Sequence, residues 1–210
     1  MTDLGFIHQY FPATTPGLPP LLLLHGTGGD ENDLVALGQR LLPGAALLSP
    51  RGKVQEGGMT RFFRRLAEGV FDLEDLKLRT AELADFIAAA RKAYDLPAPF
   101  AVGFSNGANI AASLLLTKTD ALAGAVLLRA MLPFEPKPLP DLTAKPVLLL
   151  SGGSDTMIPA ASSEKLAKVL EAAKADLVYK VLPAGHNLTQ DDLVIAARWL
   201  GIFGPESLKK

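Results

Sequence analysis

Three short segments carry side chains that could do acyl chemistry together. Gly103-Phe104-Ser105-Asn106-Gly107 sets a hydroxyl between two glycines, straight after the apolar run Phe100-Ala101-Val102 and before the small residues Ala108-Asn109-Ile110-Ala111-Ala112. Strand, sharp turn and helix is the layout of a nucleophile elbow. The turn strains the serine backbone, flanking glycines leave room for it, and the hydroxyl emerges at a helix N-terminus, which favours developing negative charge. Asp155 leaves an apolar run on a Gly152-Gly153 turn, with Pro159 opening a helix beyond it. An aspartate in that place can equally be a turn residue. His186 follows Pro183-Ala184-Gly185 at the end of a further apolar run, where a solvated loop histidine is the plain alternative.

Taken jointly, the three make nucleophile, acid and base in the order Ser105, Asp155, His186, each after a different strand. That is the order of the α/β-hydrolase arrangement, in which histidine takes the serine proton and the carboxylate orients the histidine. Upstream, Leu24-His25-Gly26-Thr27-Gly28-Gly29-Asp30 is a Gly-rich turn after a buried strand. It reads either as half of an oxyanion hole, with the Thr27 N–H as donor, or as an ordinary strand-to-loop turn. His25 also competes for the base role, but it precedes Ser105, so it reads as a support for the loop. His8 has no motif around it.

These residues need a sheet to hold them. Leu21–Leu24, 45–48, Phe100–Phe104, 125–128, 147–151 and 177–182 read as buried strands. Segment 79–94 is helical, with Leu83, Phe86, Ile87, Ala90 and Tyr94 on one face; 105–116, 162–175 and 190–201 are helical too, the last with Thr189 as its N-cap. Apolar strands separated by amphipathic helices predict an α/β fold: a mostly parallel central sheet with helices on both faces, in a single domain over 1–210. Ligands bind such sheets at the carboxyl ends of the strands. Pro-rich 133–146 should be an extended surface connection, and 204–210 a frayed tail.

Composition narrows the function further. The chain has 210 residues, 49% of them hydrophobic, 21 basic against 22 acidic residues, and no cysteine. Near-neutral charge gives no electrostatic reason to expect a nucleic-acid or membrane partner. The lack of cysteine excludes disulfides, thiolate metal sites and a cysteine nucleophile. No basic n-region with a long apolar core opens the chain, so a cytoplasmic location is expected, with neither cofactor nor metal required.

At these motifs the chain resembles the phospholipase/carboxylesterase family of α/β-hydrolases, which includes bacterial carboxylesterases and acyl-protein thioesterases. The resemblance spans roughly Leu21 to Trp199. It rests on Leu-His-Gly-Thr-Gly-Gly-Asp-Glu (24–31), Gly-Phe-Ser-Asn-Gly-Ala (103–108), Gly-Gly-Ser-Asp-Thr-Met-Ile-Pro (152–159) and Gly-His-Asn-Leu (185–188). Ser49-Pro50-Arg51-Gly52 and 59–65 are similar to a bacterial branch, some of it linked to hydroquinone response. The resemblance implies a Ser105–Asp155–His186 triad, oxyanion donors at the backbone N–H of Thr27 and Asn106, and a possible homodimer. One departure is Gly57-Gly58, where this branch is expected to carry Asn-Gly. With little room for a lid domain, the expected substrates are small-molecule esters with short to medium acyl groups. Thioesters and lysophospholipids come next, and a non-catalytic binding protein of the same fold or an acyltransferase remain alternatives.

The expected pocket draws on Met59, Phe62 and Phe63 from the segment 51–78, with Met131, Leu132 and Ile158 from strand ends near the triad. The alternative for the phenylalanines is core packing beneath the loop. Arg61, Arg64 and Arg65 face Glu68, Asp72 and Asp75 in sequence, which reads as surface pairing in preference to binding an anionic substrate.

Overall fold

A computed structural model describes residues 4–67 and 69–205 of the chain. In chain order the elements are β1 (His8–Phe11), β2 (Leu21–Leu24), α1 (Val35–Leu41), β3 (Leu47–Pro50), β4 (Val54–Glu56), β5 (Met59–Arg61), β6 (Arg65–Ala67) and β7 (Val70–Phe71). They continue with α2 (Leu73–Tyr94), β8 (Phe100–Phe104), α3 (Asn106–Thr117), β9 (Gly124–Leu128), β10 (Pro146–Gly152), α4 (Ala160–Ala172), β11 (Asp176–Leu182) and α5 (Gln190–Gly201).

Seven strands form one twisted sheet in the order β1-β3-β2-β8-β9-β10-β11. Only β1 runs antiparallel to its neighbour; the other pairings are parallel. The period-two alternation of each strand decides which face its side chains enter. Leu22, Leu24, Ala101, Leu127 and Leu149 point into one core with α2, α3 and α4. Leu21, Leu23, Val102, Val126 and Leu150 point into the other, with α1 and α5. All four residues of β2 have zero exposure, as a strand covered on both faces requires. The fold is that of an α/β-hydrolase, with helices on both faces of the sheet.

Some boundaries differ from the sequence expectation. The second sheet strand starts at Leu47, because pairing with β2 begins there, at Leu21↔Leu47. Helix α2 begins at Leu73, six residues earlier than expected, where Asp72 caps it by accepting from the Asp75 N–H. Exposed Leu73 and Leu78 blur its apolar face, while Leu76 and Thr80 continue it. Strand β1, helix α1 and the β4–β5 and β6–β7 hairpins carry too few regular apolar positions to stand out. Gly57 and Gly58 form the two-residue turn of the β4–β5 hairpin, both at positive φ (59° and 81°). Such turns favour Asn-Gly and Gly-Gly alike, so the departure noted in the sequence leaves the hairpin intact. Residues 206–210 of the expected tail, and Glu68 of the expected acidic partners, lie outside the described residues.

Candidate active site

Strand β8 ends on a backbone constraint that aims Ser105. Ser105 sits between β8 and α3 with φ 51° and ψ −112°, a positive-φ conformation outside the left-handed helical region that a non-glycine residue adopts only under strain. Its N–H is held by the Leu128 carbonyl at 2.9 Å, tying the turn to the end of β9. The flanking glycines are required by close packing. A Cβ on Gly103 would lie 2.6 Å from the Gly107 oxygen, and one on Gly107 would run into the Leu24 carbonyl at the end of β2.

The imidazole of His186 bridges the other two groups. Its Nε2 lies 3.1 Å from Ser105 Oγ and its Nδ1 2.8 Å from Asp155 Oδ2. Asp155 is buried, and its Oδ1 accepts the backbone N–H of Met157 and of Ile158, each at 2.9 Å. With Oδ1 fully occupied, Oδ2 is the oxygen left to hold the imidazole. Phe104 packs on the imidazole with ring centroids 5.3 Å apart.

The backbone N–H groups of Thr27 and Asn106 face no hydrogen-bond partner among the described residues. Both residues line the cleft that holds Ser105 and His186. Both are also gripped by one segment of the β4–β5 hairpin. Thr60 O accepts from Gly28 N–H at 2.8 Å, Arg61 Nη1 donates to Thr27 Oγ1 at 2.7 Å, and Phe62 N–H donates to Asn106 Oδ1 at 2.7 Å. His25 braces the same loop from below. It is buried, its Nδ1 donates to Gly26 O at 2.7 Å, and its Nε2 accepts from Gly52 N–H at 3.0 Å. Burial holds its pKa below the usual histidine value, which favours this neutral tether.

Arg129 and Asp192 have no counterpart in the sequence expectation. The Arg129 guanidinium is fully buried, at the end of β9, on a residue with φ 57°. Its Nε donates to Gly185 O at 2.9 Å and its Nη2 to Asn187 O at 3.2 Å, the two carbonyls that flank His186. Asp192, in the first turn of α5, neutralises it and also accepts from the N–H and hydroxyl of Thr189. Burial alone would raise the Asp192 carboxyl, but Arg129 and Thr189 together hold it below the usual carboxylate range. A lone arginine straight after a wholly apolar strand is the signal that could have pointed to it.

The expected pocket residues divide. Met131 and Ile158 line the cleft, joined by Met157 and Phe71. Phe62 and Phe63 do not line it; at 2% and 0% exposure they belong to the core under α2, where Phe63 packs edge-on against Phe71. Apolar burial draws them inward once Arg61 turns the chain toward the cleft. Met59 is exposed on the hairpin beside Gly28, and Leu132 is half-buried against the core; neither lines the cleft. Surface pairing holds for Arg64 with Asp72 (2.9 Å); Arg65 pairs instead with Glu56 (2.8 Å), which is not one of the expected acids, and lines the cleft together with buried Arg61.

The cleft is small and open to solvent. A larger groove between α2 and α3 holds no nucleophile beside a base; its Thr80 and Ser113 hydroxyls bond each other at 2.7 Å. Among the described residues no group of three histidine or carboxylate side chains is placed to hold a metal ion. None of their helices is long and apolar enough to cross a membrane.

Similar proteins fall in one group. The phospholipase/carboxylesterase family model matches residues 80–203. The Bacillus subtilis protein MhqD, described as a hydrolase, is 45% identical over 194 residues, covering 91% of this chain and 96% of that protein. A carboxylesterase of Bacillus cereus superposes with a TM-score of 0.92 at 43% identity, over 95% of both chains. YahD, solved with malic acid, superposes with a TM-score of 0.88 at 31% identity, over 93% of this chain and 98% of that one.

Proposed function

The chain belongs to the phospholipase/carboxylesterase family, and on that premise we propose that it is a serine carboxylesterase acting on short to medium acyl esters. One observation carries the reading: an unbroken line of hydrogen-bond distances from Ser105 Oγ through His186 to buried Asp155, facing two unpartnered backbone N–H groups. Ser105 Oγ attacks the ester carbonyl while His186 Nε2 takes its proton. The carbonyl oxygen becomes an oxyanion, which the N–H groups of Thr27 and Asn106 stabilise; one such donor contributes about 3 kcal/mol. Asp155 keeps the proton on Nδ1, so that Nε2 is free to accept, and stabilises the imidazolium. Collapse expels the alcohol, which leaves with the proton from Nε2. Water, activated by the same nitrogen, then releases the acid and restores Ser105.

The small cleft supports short acyl groups over bulk lipid. The presence of a four-carbon dicarboxylic acid in YahD is in keeping with small acids. Hydrolysis of p-nitrophenyl esters, acetate through palmitate, by the wild-type protein and Ser105→Ala tests the reading. The expected result is a maximum at short chains and a loss on the order of 10⁶ in kcat for the variant. Full activity in Ser105→Ala would overturn it.

A further inference from the structure

The cleft beside Ser105 is not electrically neutral. Among the described residues, Arg61 and Arg65 are its only charged lining groups apart from any charge on His186, and no carboxylate lines it. Asp155 lies behind the imidazole with no exposed side chain. Both arginines share one acid. Glu56 accepts from the Arg65 N–H and Nε, and stands 3.6 Å from Arg61 Nε without bonding it. Among the described residues, two guanidinium groups stand against one carboxylate, which leaves one positive charge in excess.

The donors of these arginines are also incompletely used. Arg61 gives Nε to Phe63 O and Nη1 to Thr27 Oγ1, and its Nη2 has no partner among the described residues. Arg65 commits only its backbone N–H and Nε, so neither of its terminal nitrogens has a partner there. Asn106 adds an independent sign. It lines the same cleft, it is 2% exposed, and its Nδ2 is a buried donor without a partner. Buried donors and desolvated charges of this kind are costly unless something completes them.

We infer that the cleft accepts esters whose acid or alcohol part carries a carboxylate, bound by Arg61 and Arg65. The inference rests on the esterase reading and narrows it to a substrate class. A single carboxylate matches the single excess charge; a phosphate monoester, with a charge near −2, overfills it. The planar guanidinium fork fits two carboxylate oxygens. Because Arg61 grips Thr27, the charge lies next to the oxyanion loop. A short chain therefore separates the carboxylate from the scissile carbonyl, as in monoesters of small dicarboxylic acids or acyl esters of small hydroxy acids. The apolar lining, Met131, Met157 and Ile158, takes the apolar remainder.

The test uses two substrate pairs that differ only in charge, followed by acid release. Monomethyl glutarate against methyl glutaramate places the carboxylate on the acyl side; butyryl glycolate against butyryl glycolamide places it on the alcohol side. In at least one pair the charged ester should be preferred in kcat/KM by about tenfold or more. Arg65→Gln should bring that ratio close to one, through KM of the charged ester, and Arg65→Lys should restore part of it. Equal kcat/KM within both pairs would overturn the inference. So would a ratio that Arg65→Gln leaves unmoved, or an equal fall for charged and neutral esters, which would make the arginines supports of the oxyanion. Calorimetric titration of glutarate into Ser105→Ala separates the two readings. Binding that weakens about tenfold with Arg65→Gln, in a protein whose wild type cleaves no ester, would keep the anion site and overturn the esterase; no binding, with neutral esters cleaved, would do the reverse.

Discussion

Arg129 and Asp192 form an ion pair with no exposed surface on either side chain, and the guanidinium that makes it also holds the carbonyls before and after His186. Removing two charges from water costs several kcal/mol per ion, and their attraction does not reliably exceed that cost. The pair is therefore poorly explained as a source of stability. It is better explained by geometry, because a loop histidine must stay within hydrogen-bond reach of two groups on two other strands. Arg129 fixes the loop backbone from the end of β9, and Asp192 fixes Arg129 from α5.

This separates stability from positioning in one set of variants. Arg129→Met leaves Asp192 buried without its partner and should cost about 3–5 kcal/mol, with Asp192→Leu costing a similar amount. The double variant should recover much of that, since no uncompensated charge remains. It should not recover kcat, because the Gly185 and Asn187 carbonyls still lack their donor. Urea unfolding and ester hydrolysis on the same four proteins check this. Wild-type kcat in a stable double variant would show that the loop does not need Arg129.

Asp155→Asn should act through the tautomer of His186. Oδ1 of Asp155 accepts two backbone N–H groups, so the oxygen of an asparagine must take that place. Its NH₂ then faces His186 Nδ1, which becomes an acceptor and moves the ring proton to Nε2. Nε2 can no longer take the Ser105 proton, and kcat should fall by about 10⁴ at neutral pH. The melting temperature should move little, because every hydrogen bond keeps a partner. A kcat within tenfold of wild type would exclude the role.

The hydrogen-bonded grouping of Ser105, Asp155 and His186 was legible in the sequence because each residue follows a strand and keeps recognisable neighbours. Gly103 and Gly107 are needed by packing at the turn, and Gly152 lies against the carbonyls of Ala184 and Gly185, so these glycines mark where strands end. The sheet core was legible for the same reason: uninterrupted apolar runs have few other solutions. Arg61, Arg129 and Asp192 were not legible. Their roles depend on contacts across 34, 58 and 63 positions, and no local periodicity encodes those. Phe62 and Phe63 show the same limit, since an aromatic pair in a loop looks identical whether it lines a pocket or plugs the core beneath it.

Acid should weaken the fold in two separate windows. His25 is buried with its pKa below the usual histidine value. A depressed pKa means that its stabilising contribution is complete above the unfolded value, near 6.5, and is lost as pH falls from there through the folded value. Asp192 is also depressed, so its contribution is complete above an unfolded value near 3.9 and is lost only below that. Urea midpoints measured against pH should therefore decline first below about 6.5 and again below about 4. His25→Gln should flatten the first decline and leave the second. A first decline of unchanged slope in His25→Gln would assign it to another group.

Two glycine substitutions should differ sharply, one in the first turn of α3 and one at the tip of the β4–β5 hairpin. A Cβ on Gly107 would collide with the Leu24 carbonyl, which is backbone of β2 inside the sheet and cannot rotate away. Gly107→Ala must push α3 off β2, moving Ser105 and the Asn106 N–H with it. The cost should be about 3 kcal/mol or more, and activity should fall further than stability explains. Gly57 has open space around its Cβ position and φ 59°, a conformation that asparagine tolerates better than other side chains. Gly57→Asn should therefore stay within about 0.5 kcal/mol of wild type and keep its kcat. Denaturant unfolding and ester hydrolysis on the two variants decide the matter. An active, stable Gly107→Ala would mean that the elbow relaxes more freely than its packing allows, and a large loss in Gly57→Asn would mean that the hairpin tip takes part in holding the oxyanion loop.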